Sequence, residues 1–182
     1  MNIFNIVAVF GYGCRPTYRI MRYLFSASEH VRPVTDVVYL TGGETNQRTF
    51  PGQTEAGMME GKLTTMLNKR EVYPDFVKDE TAVRTLDNIR GLCDYAHERQ
   101  EENIHIKIFC ESSRVCKVRL LWDSYCDDNR IACQIIGIDF ESSWFKTMVQ
   151  TAVLTPVEYF ASRVKFLDRL HKRAILLKIK RK

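Results

Sequence analysis

A glycine pair followed by two glutamates is the part of this sequence that offers the most chemistry. A short apolar run ends in Gly42-Gly43, and the segment that follows carries Glu44 and Glu55. Glycine lets a backbone approach a ligand closely, so Gly42 and Gly43 are expected to contact a ligand. A carboxylate in a dry pocket can act as a general acid or base. Glu55 and Glu44 are therefore the candidate catalytic residues, with a solvated carboxylate as the alternative for each.

A second glycine turn, Gly11-Tyr12-Gly13, ends the apolar run at the start of the chain. Backbone N–H groups and the helix dipole favour an anion where a helix begins after such a turn. Arg15 follows, and its guanidinium can clamp a phosphate or a carboxylate. The third glycine of the dinucleotide-binding fingerprint is missing. Gly11, Gly13 and Arg15 are predicted ligand contacts, and a plain turn beside a solvated arginine is the alternative.

Polar residues also begin two later helical patterns. Thr85 is a candidate N-cap, and Asn88 stands three residues further on, where asparagine has poor helix propensity. A polar contact across the sheet edge would be a reason to hold an asparagine there, which favours a site role for both residues. Capping alone is also a sufficient explanation. Ser112 and Arg114 follow an apolar run over residues 104–110, and Arg114 can bind an anion bidentately. All four residues are predicted ligand contacts. Serine catalysis is disfavoured because no histidine is placed to act as a base.

The elements that position these residues follow from the apolar patterns. Buried parallel strands give continuous apolar runs. The predicted strands cover residues 3–10, 36–41, 104–110 and 131–138, with a weak strand over 71–76 that is interrupted at Pro74. Apolar residues at helical spacing predict helices over residues 16–27, 54–68, 85–96, 112–122 and 156–172. Thr54 is the predicted N-cap of the second helix.

Strands and helices therefore alternate along the whole chain. Alternation predicts right-handed crossovers and a three-layer, Rossmann-like α/β sandwich with a mostly parallel central sheet of about five strands. Ligands bind such sheets at the C-terminal ends of the strands, where the glycine turns and polar groups of this chain fall. A length of 182 residues is expected to form a single domain, residues 1–182.

The composition is typical of a globular protein, with 45% hydrophobic and 27% charged residues. No apolar run approaches the roughly 20 residues of a membrane-spanning helix. The apolar N-terminus lacks the basic leader of a signal peptide, so a cytoplasmic protein is expected. The six cysteines form no C-x-x-C pair and are expected to be reduced thiols. The four histidines are scattered, so no metal site is predicted.

Positive charge is concentrated at the C-terminus. The net charge is +5, but residues 163–182 hold nine Lys or Arg and one Asp, which leaves −3 for the other residues. Val164, Leu167 and Leu170 recur at helical spacing among these charges, which predicts an amphipathic basic helix and tail over residues 156–182. Such a segment can bind a partner, an anionic membrane surface or nucleic acid, or can serve only as a solubilising terminus.

Four motifs occur in a fixed order along the chain. They are a first strand ending in glycine, a Gly-Gly strand end before a helix that opens with Glu-Ala, a Thr-x-x-Asn helix start, and a strand followed by a basic polar turn. The segments are Val7–Gly13, Thr41–Gly43 with Glu55-Ala56, Thr85–Asn88 and Phe109–Lys117. Together they resemble the YdcF/SanA/ElyC-like family of bacterial domains. The chain departs from the family pattern at four positions: Ala82 for serine, Asp87 for glutamate, Arg114 for histidine and Lys117 for arginine.

The resemblance implies a Rossmann-like fold over residues 6–140 and a site at the positions named above. One class of members is associated with S-adenosylmethionine, whereas envelope-linked members are tied to cell-wall lipid-carrier metabolism and carry a membrane anchor. We therefore expect binding of a small nucleotide-like or phosphorylated ligand, with S-adenosylmethionine as one such ligand and no reaction assigned. The alternative is a non-catalytic interaction module that uses its basic C-terminal helix.

Overall fold

The central feature of the fold is a five-stranded sheet in which every neighbouring pair is parallel, in the order β3-β2-β1-β4-β5. The computed structural model describes residues 3–14, 17–45, 48–100, 103–139, 148–149, 152 and 155–181. The strands are β1 Ile3–Phe10, β2 Val37–Thr41, β3 Asp75–Asp79, β4 Asn103–Glu111 and β5 Ile131–Ile138. The predicted α/β class with a parallel sheet is confirmed.

Six α-helices accompany the sheet within the described ranges. They are α1 Tyr18–Glu29, α2 Glu55–Asn68, α3 Thr85–His97, α4 Val115–Tyr125, α5 Thr155–Arg163 and α6 Lys165–Arg181. One buried apolar cluster joins α1 and α2 to one face of the sheet, and a second joins α3 and α4 to the other face. The molecule therefore has the three layers that the alternating pattern predicts.

The central strand shows why the apolar runs are continuous. Val7 and Val9 of β1 pack with α1 and α2, whereas Ile6 and Ala8 pack with α3 and α4. All four side chains are at most 3% exposed. Because successive residues of a strand point to opposite faces, a strand covered on both faces must be apolar at every position.

Threonine caps fix the start of two helices. Thr17 accepts a hydrogen bond from the N–H of Ile20, and Thr54 accepts one from the N–H of Gly57, at 3.3 and 3.0 Å. The prediction that Thr54 caps α2 is confirmed. The prediction for Thr85 is wrong, since it is the first residue of α3 and Arg84 precedes it in the cap position.

Three other predicted boundaries differ from the structure. The weak strand is β3 at Asp75–Asp79, which begins after Pro74 because its pairing with β2 sets its limits. Neither serine caps α4. Ser112 begins a 3₁₀ turn, and the hydroxyl of Ser113 donates to Glu111 instead. The single terminal helix is two helices, α5 and α6, that are separated at Val164.

The strand order places a topological switch between β1 and β4. From β1 the chain moves through β2 to β3 on one side, and then crosses to β4 and β5 on the other. The crevice outside the C-terminal ends of the strands at such a switch is the usual ligand site of open α/β sheets. The turns after β1, β2 and β4 therefore frame the candidate site.

Candidate functional site

Glu55, the first residue of α2, lies against the glycine turns of β1 and β2. A Cβ atom on Gly42 would stand 2.7 Å from the Cβ of Glu55, and one on Gly11 would stand 2.8 Å from it. Both distances are shorter than real Cβ contacts allow. The two glycines therefore create the space that this glutamate occupies, and its side chain is 6% exposed.

Hydrogen bonds hold the Glu55 carboxylate in place. The hydroxyl of Thr45 and the backbone N–H of Gly13 both donate to it. Burial raises the pKa of Glu55 above its ordinary value, while Thr45, the positive charge of Arg114 and Gly13 oppose the rise. A carboxyl group whose pKa is raised by burial can exchange a proton closer to neutral pH, which suits a general acid or base.

The other glycines of the two turns differ in their surroundings. The N–H of Gly43 donates to the carbonyl of Ala82 at 2.7 Å, and a Cβ there would lie 2.8 Å from the carbonyl oxygen of Glu80. Gly43 therefore joins the β2 turn to the segment after β3. Gly13 has a φ of +117°, and apart from its chain neighbours no atom of the described residues lies within 4 Å of the place a Cβ would take. Among the described residues, none therefore blocks a ligand on this side of Gly13.

The end of β4 supplies a second buried glutamate. Glu111 accepts a hydrogen bond from the hydroxyl of Ser113 at 2.6 Å on Oε2, and its side chain is 6% exposed. Its backbone N–H donates to the hydroxyl oxygen of Tyr12 at 2.7 Å. The guanidinium of Arg114 lies 4.3 Å from the centre of the Tyr12 ring, a cation–π contact. Tyr12 therefore bridges the ends of β1 and β4 at the topological switch.

Two buried oxygen atoms at this edge have no hydrogen-bond partner among the described residues: Oγ1 of Thr41 and Oε1 of Glu111. Their residues are 0% and 6% exposed. Buried polar atoms are nearly always satisfied in folded proteins, and exceptions point to a partner that is not part of the chain, such as a water molecule, an ion or a ligand.

The structure brings most of the predicted site residues to this edge. Thr85 and Asn88 lie buried in the first turn of α3, and Ser112 and Arg114 lie half-buried after β4. Ser112 packs against β5, since a Cβ on Gly137 would lie 3.1 Å from its hydroxyl oxygen.

Two of the predicted residues stand apart from this group. Glu44 is exposed, unlike Glu55. Arg15 lies outside the described residues, so its contribution stays a prediction.

Four residues of the site were missed by the sequence patterns: Tyr12, Thr41, Thr45 and Glu111. For Glu111 a signal was present, because a carboxylate directly after the apolar residues Ile108, Phe109 and Cys110 falls at the ligand edge of a parallel sheet. Thr41 is the last residue of β2, directly before Gly42 and Gly43, and a polar residue at this position is a similar signal. Thr45 had none, since only the path of the loop brings its hydroxyl to Glu55.

Comparison with family models, with curated proteins and with solved structures finds no match to this chain. Its class therefore rests on its own geometry, which is that of a Rossmann-like α/β protein with buried polar groups at the topological switch. Within the described part of the chain, no group of three or more His, Cys, Asp or Glu could hold a metal ion. No helix there is both long and apolar enough to cross a membrane.

Proposed function

We propose that the crevice at the β1–β4 switch binds a small nucleotide-like or phosphorylated molecule. The observation that carries this proposal is the pair of buried, unpartnered oxygens on Thr41 and Glu111. Leaving a buried polar group without a hydrogen bond costs about 1–3 kcal/mol. A ligand that supplies the missing hydrogen-bond donors would remove that cost, so the unpartnered atoms favour occupation of the crevice.

The two sides of the crevice suit different parts of such a ligand. The carboxylate oxygen of Glu111 accepts hydrogen bonds, which matches the hydroxyl groups of a ribose or an amino group. The open side of Gly13 and the guanidinium of Arg114 suit an anionic group. S-adenosylmethionine combines ribose hydroxyls and an ammonium group with a carboxylate, so it fits this division as well as a nucleotide does.

Glu55 is the residue best placed for proton transfer, if the bound molecule reacts. Burial raises its pKa, and Thr45 and Gly13 fix its orientation. The reaction itself stays unassigned. Glu44 is a weaker candidate because its side chain is exposed to water, whereas Glu55 is buried and held by hydrogen bonds.

A thermal-shift screen of the full chain tests the proposal, using S-adenosylmethionine, nucleotides, nucleotide sugars and sugar phosphates. A ligand at a hundredfold excess over its Kd stabilises the native state by about 2.7 kcal/mol. The shift is expected to shrink in Glu111→Gln and in Glu55→Gln, and to persist in the control Glu44→Gln, which changes an exposed glutamate nearby.

Two results would contradict the proposal. One is the absence of a shift with every compound, while circular dichroism shows an intact fold. The other is a shift that Glu111→Gln and Glu55→Gln leave unchanged, because the ligand would then bind elsewhere.

A further inference from the structure

The outward face of α6 carries exposed leucines among basic residues. Leu170 and Leu177 are 45% and 59% exposed, and Arg173 and Ala174 between them are also exposed. The spacing of three to four residues places all four on one side of the helix. Large apolar side chains at such exposure on one face of a helix mark an interaction surface.

The opposite face of α6 is attached to the body of the protein. Asp168 receives hydrogen bonds from Arg84 at 2.7 Å and from Arg90 at 3.2 Å, and Lys172 lies 3.8 Å from Asp87. Burial tends to raise the pKa of Asp168, but the bonds from the two arginines outweigh it and hold the pKa below its ordinary value. The helix is thus presented by the domain with its orientation fixed.

Exposed apolar side chains also occur on the neighbouring helix and before the start of α6. Phe160 of α5 is 67% exposed, and Val164 between the helices is 48% exposed. The charge is also local, because residues 163–182 carry a net +8 and the rest of the chain −3. An anionic partner would therefore be attracted to this end of the molecule and repelled by the remainder.

We propose that the outward face of α6 lies on an anionic lipid surface. Helices that bind in the plane of a membrane combine Lys and Arg with leucines that enter the headgroup region. Nucleic acid would use the positive charge but would gain little from Leu170 and Leu177, because these side chains cannot stack on bases. The combination of apolar side chains with positive charge favours lipid, and this proposal is independent of the ligand in the crevice.

Co-sedimentation of the full chain with vesicles tests the proposal. Binding is expected to vesicles of phosphatidylcholine mixed with phosphatidylserine, and to be weak with phosphatidylcholine alone. Arg173→Gln should lower the affinity about fivefold, as expected for one basic residue near an anionic surface. Leu177→Gln should lower it about tenfold because it removes apolar area that lipid would bury. Raising the salt concentration should weaken binding of the unmodified chain.

Matched controls lie on α4, where Arg119 and Leu120 are also exposed. Arg119→Gln and Leu120→Gln should leave vesicle binding unchanged. The proposal is overturned if the α4 variants weaken binding as much as the α6 variants, or if neutral vesicles bind equally well.

The other occupants of this face give distinct results. A concentration-dependent dimer that Leu177→Gln dissociates, without any vesicle binding, would assign the face to a second copy of the chain. Binding of an oligonucleotide that is lost in Arg173→Gln and kept in Leu177→Gln would assign it to nucleic acid. Each of these results overturns the lipid proposal.

Discussion

Glu55 and Glu111 lie at the same sheet edge and are equally buried, but their carboxylates differ in hydrogen bonding. Glu55 is enclosed by the backbone of two glycine turns and accepts hydrogen bonds from Thr45 and Gly13. Glu111 accepts one side-chain hydrogen bond on Oε2, and its other carboxylate oxygen has no partner. One carboxylate is thus completed by the fold, whereas the other leaves an acceptor for something outside it.

The difference separates two ways in which a buried acid can serve a site. Hydrogen bonds fix the position of Glu55 and burial raises its pKa, and proton transfer requires both a fixed position and a shifted pKa. The second carboxylate oxygen of Glu111 suits recognition, because a ligand with a matching donor gains a hydrogen bond there. Substitutions at and around the two residues can test whether the protein itself completes the surroundings of Glu55, and whether Glu111 keeps an acceptor for a ligand.

The largest effect is expected for Gly42→Ala, which intrudes on the enclosure of Glu55. Gly42 has a φ of +144°, and a Cβ would lie 2.7 Å from the Cβ of Glu55. Backbone strain and overpacking together should lower the free energy of unfolding by about 3 kcal/mol. Urea unfolding followed by circular dichroism measures this change.

Two other glycines provide the controls for Gly42→Ala. Gly13→Ala meets no atom within 4 Å but has a φ of +117°, so strain alone should cost about 1 kcal/mol. Gly61→Ala also meets no atom, and as a substitution inside α2 it should stabilise by about 0.5–1 kcal/mol. If Gly42→Ala matches Gly13→Ala, the enclosure of Glu55 is not tight.

The second prediction concerns the pH dependence of Glu55→Gln. Burial raises the pKa of Glu55 in the folded state, so the native protein binds a proton more readily than the unfolded chain does. The stabilisation that Glu55 contributes is therefore complete below 4.5, the ordinary pKa of a glutamate. It is lost as the pH rises through the pKa of Glu55 in the folded state. Relative to the variant, the unmodified chain should lose stability over that interval, by at most about 1.4 kcal/mol per pH unit.

Unfolding at a series of pH values measures this dependence. The control is Glu44→Gln, which removes an exposed glutamate and should leave the pH profile parallel to that of the unmodified chain. A difference between Glu55→Gln and the unmodified chain that stays constant from acid to neutral pH would mean that burial does not govern Glu55.

Thr45→Val is expected to have a smaller effect. It removes the hydroxyl that donates to Glu55 and keeps the shape of the side chain. Loss of a hydrogen bond to a buried carboxylate should lower the free energy of unfolding by about 1–2 kcal/mol. A double-mutant cycle with Glu55→Gln measures the coupling, which should vanish only if the two side chains act independently.

The sequence predicted the strands and helices that carry the two glutamates better than it predicted which carboxylates are buried. The strand ends, the Thr54 cap and the position of Glu55 followed from apolar runs, glycines and capping chemistry, all of which are local. The choice between Glu44 and Glu55 did not follow, because the path of the loop between Gly43 and Thr54 decides which carboxylate is buried.

Glu111 shows a second limit of sequence reasoning. Its apolar run ended at Cys110, and the strand extends one residue further only because Glu111 pairs with Ile138 of β5. Unpartnered atoms are also invisible in a sequence, since a missing hydrogen bond is a property of the three-dimensional surroundings. Local patterns therefore located the candidate site, whereas tertiary contacts determine the surroundings of each acid in it.

Glu111→Gln is expected to have the smallest effect on the unliganded fold. The variant keeps an oxygen for the hydroxyl of Ser113 and removes a buried charge whose other oxygen has no partner. The free energy of unfolding should change by less than about 1 kcal/mol, since the lost hydrogen-bond strength is offset by the lower cost of burying a neutral group. Urea unfolding without ligand measures this change.

The matched control for Glu111→Gln is Ser113→Ala, which removes the donor and leaves the carboxylate. It should destabilise the fold by about 1–3 kcal/mol, because both oxygens of Glu111 would then be buried without a partner. The order of the two variants is the test. If Glu111→Gln is the more destabilising, the fold depends on the charge of Glu111, and the distinction between the two acids fails.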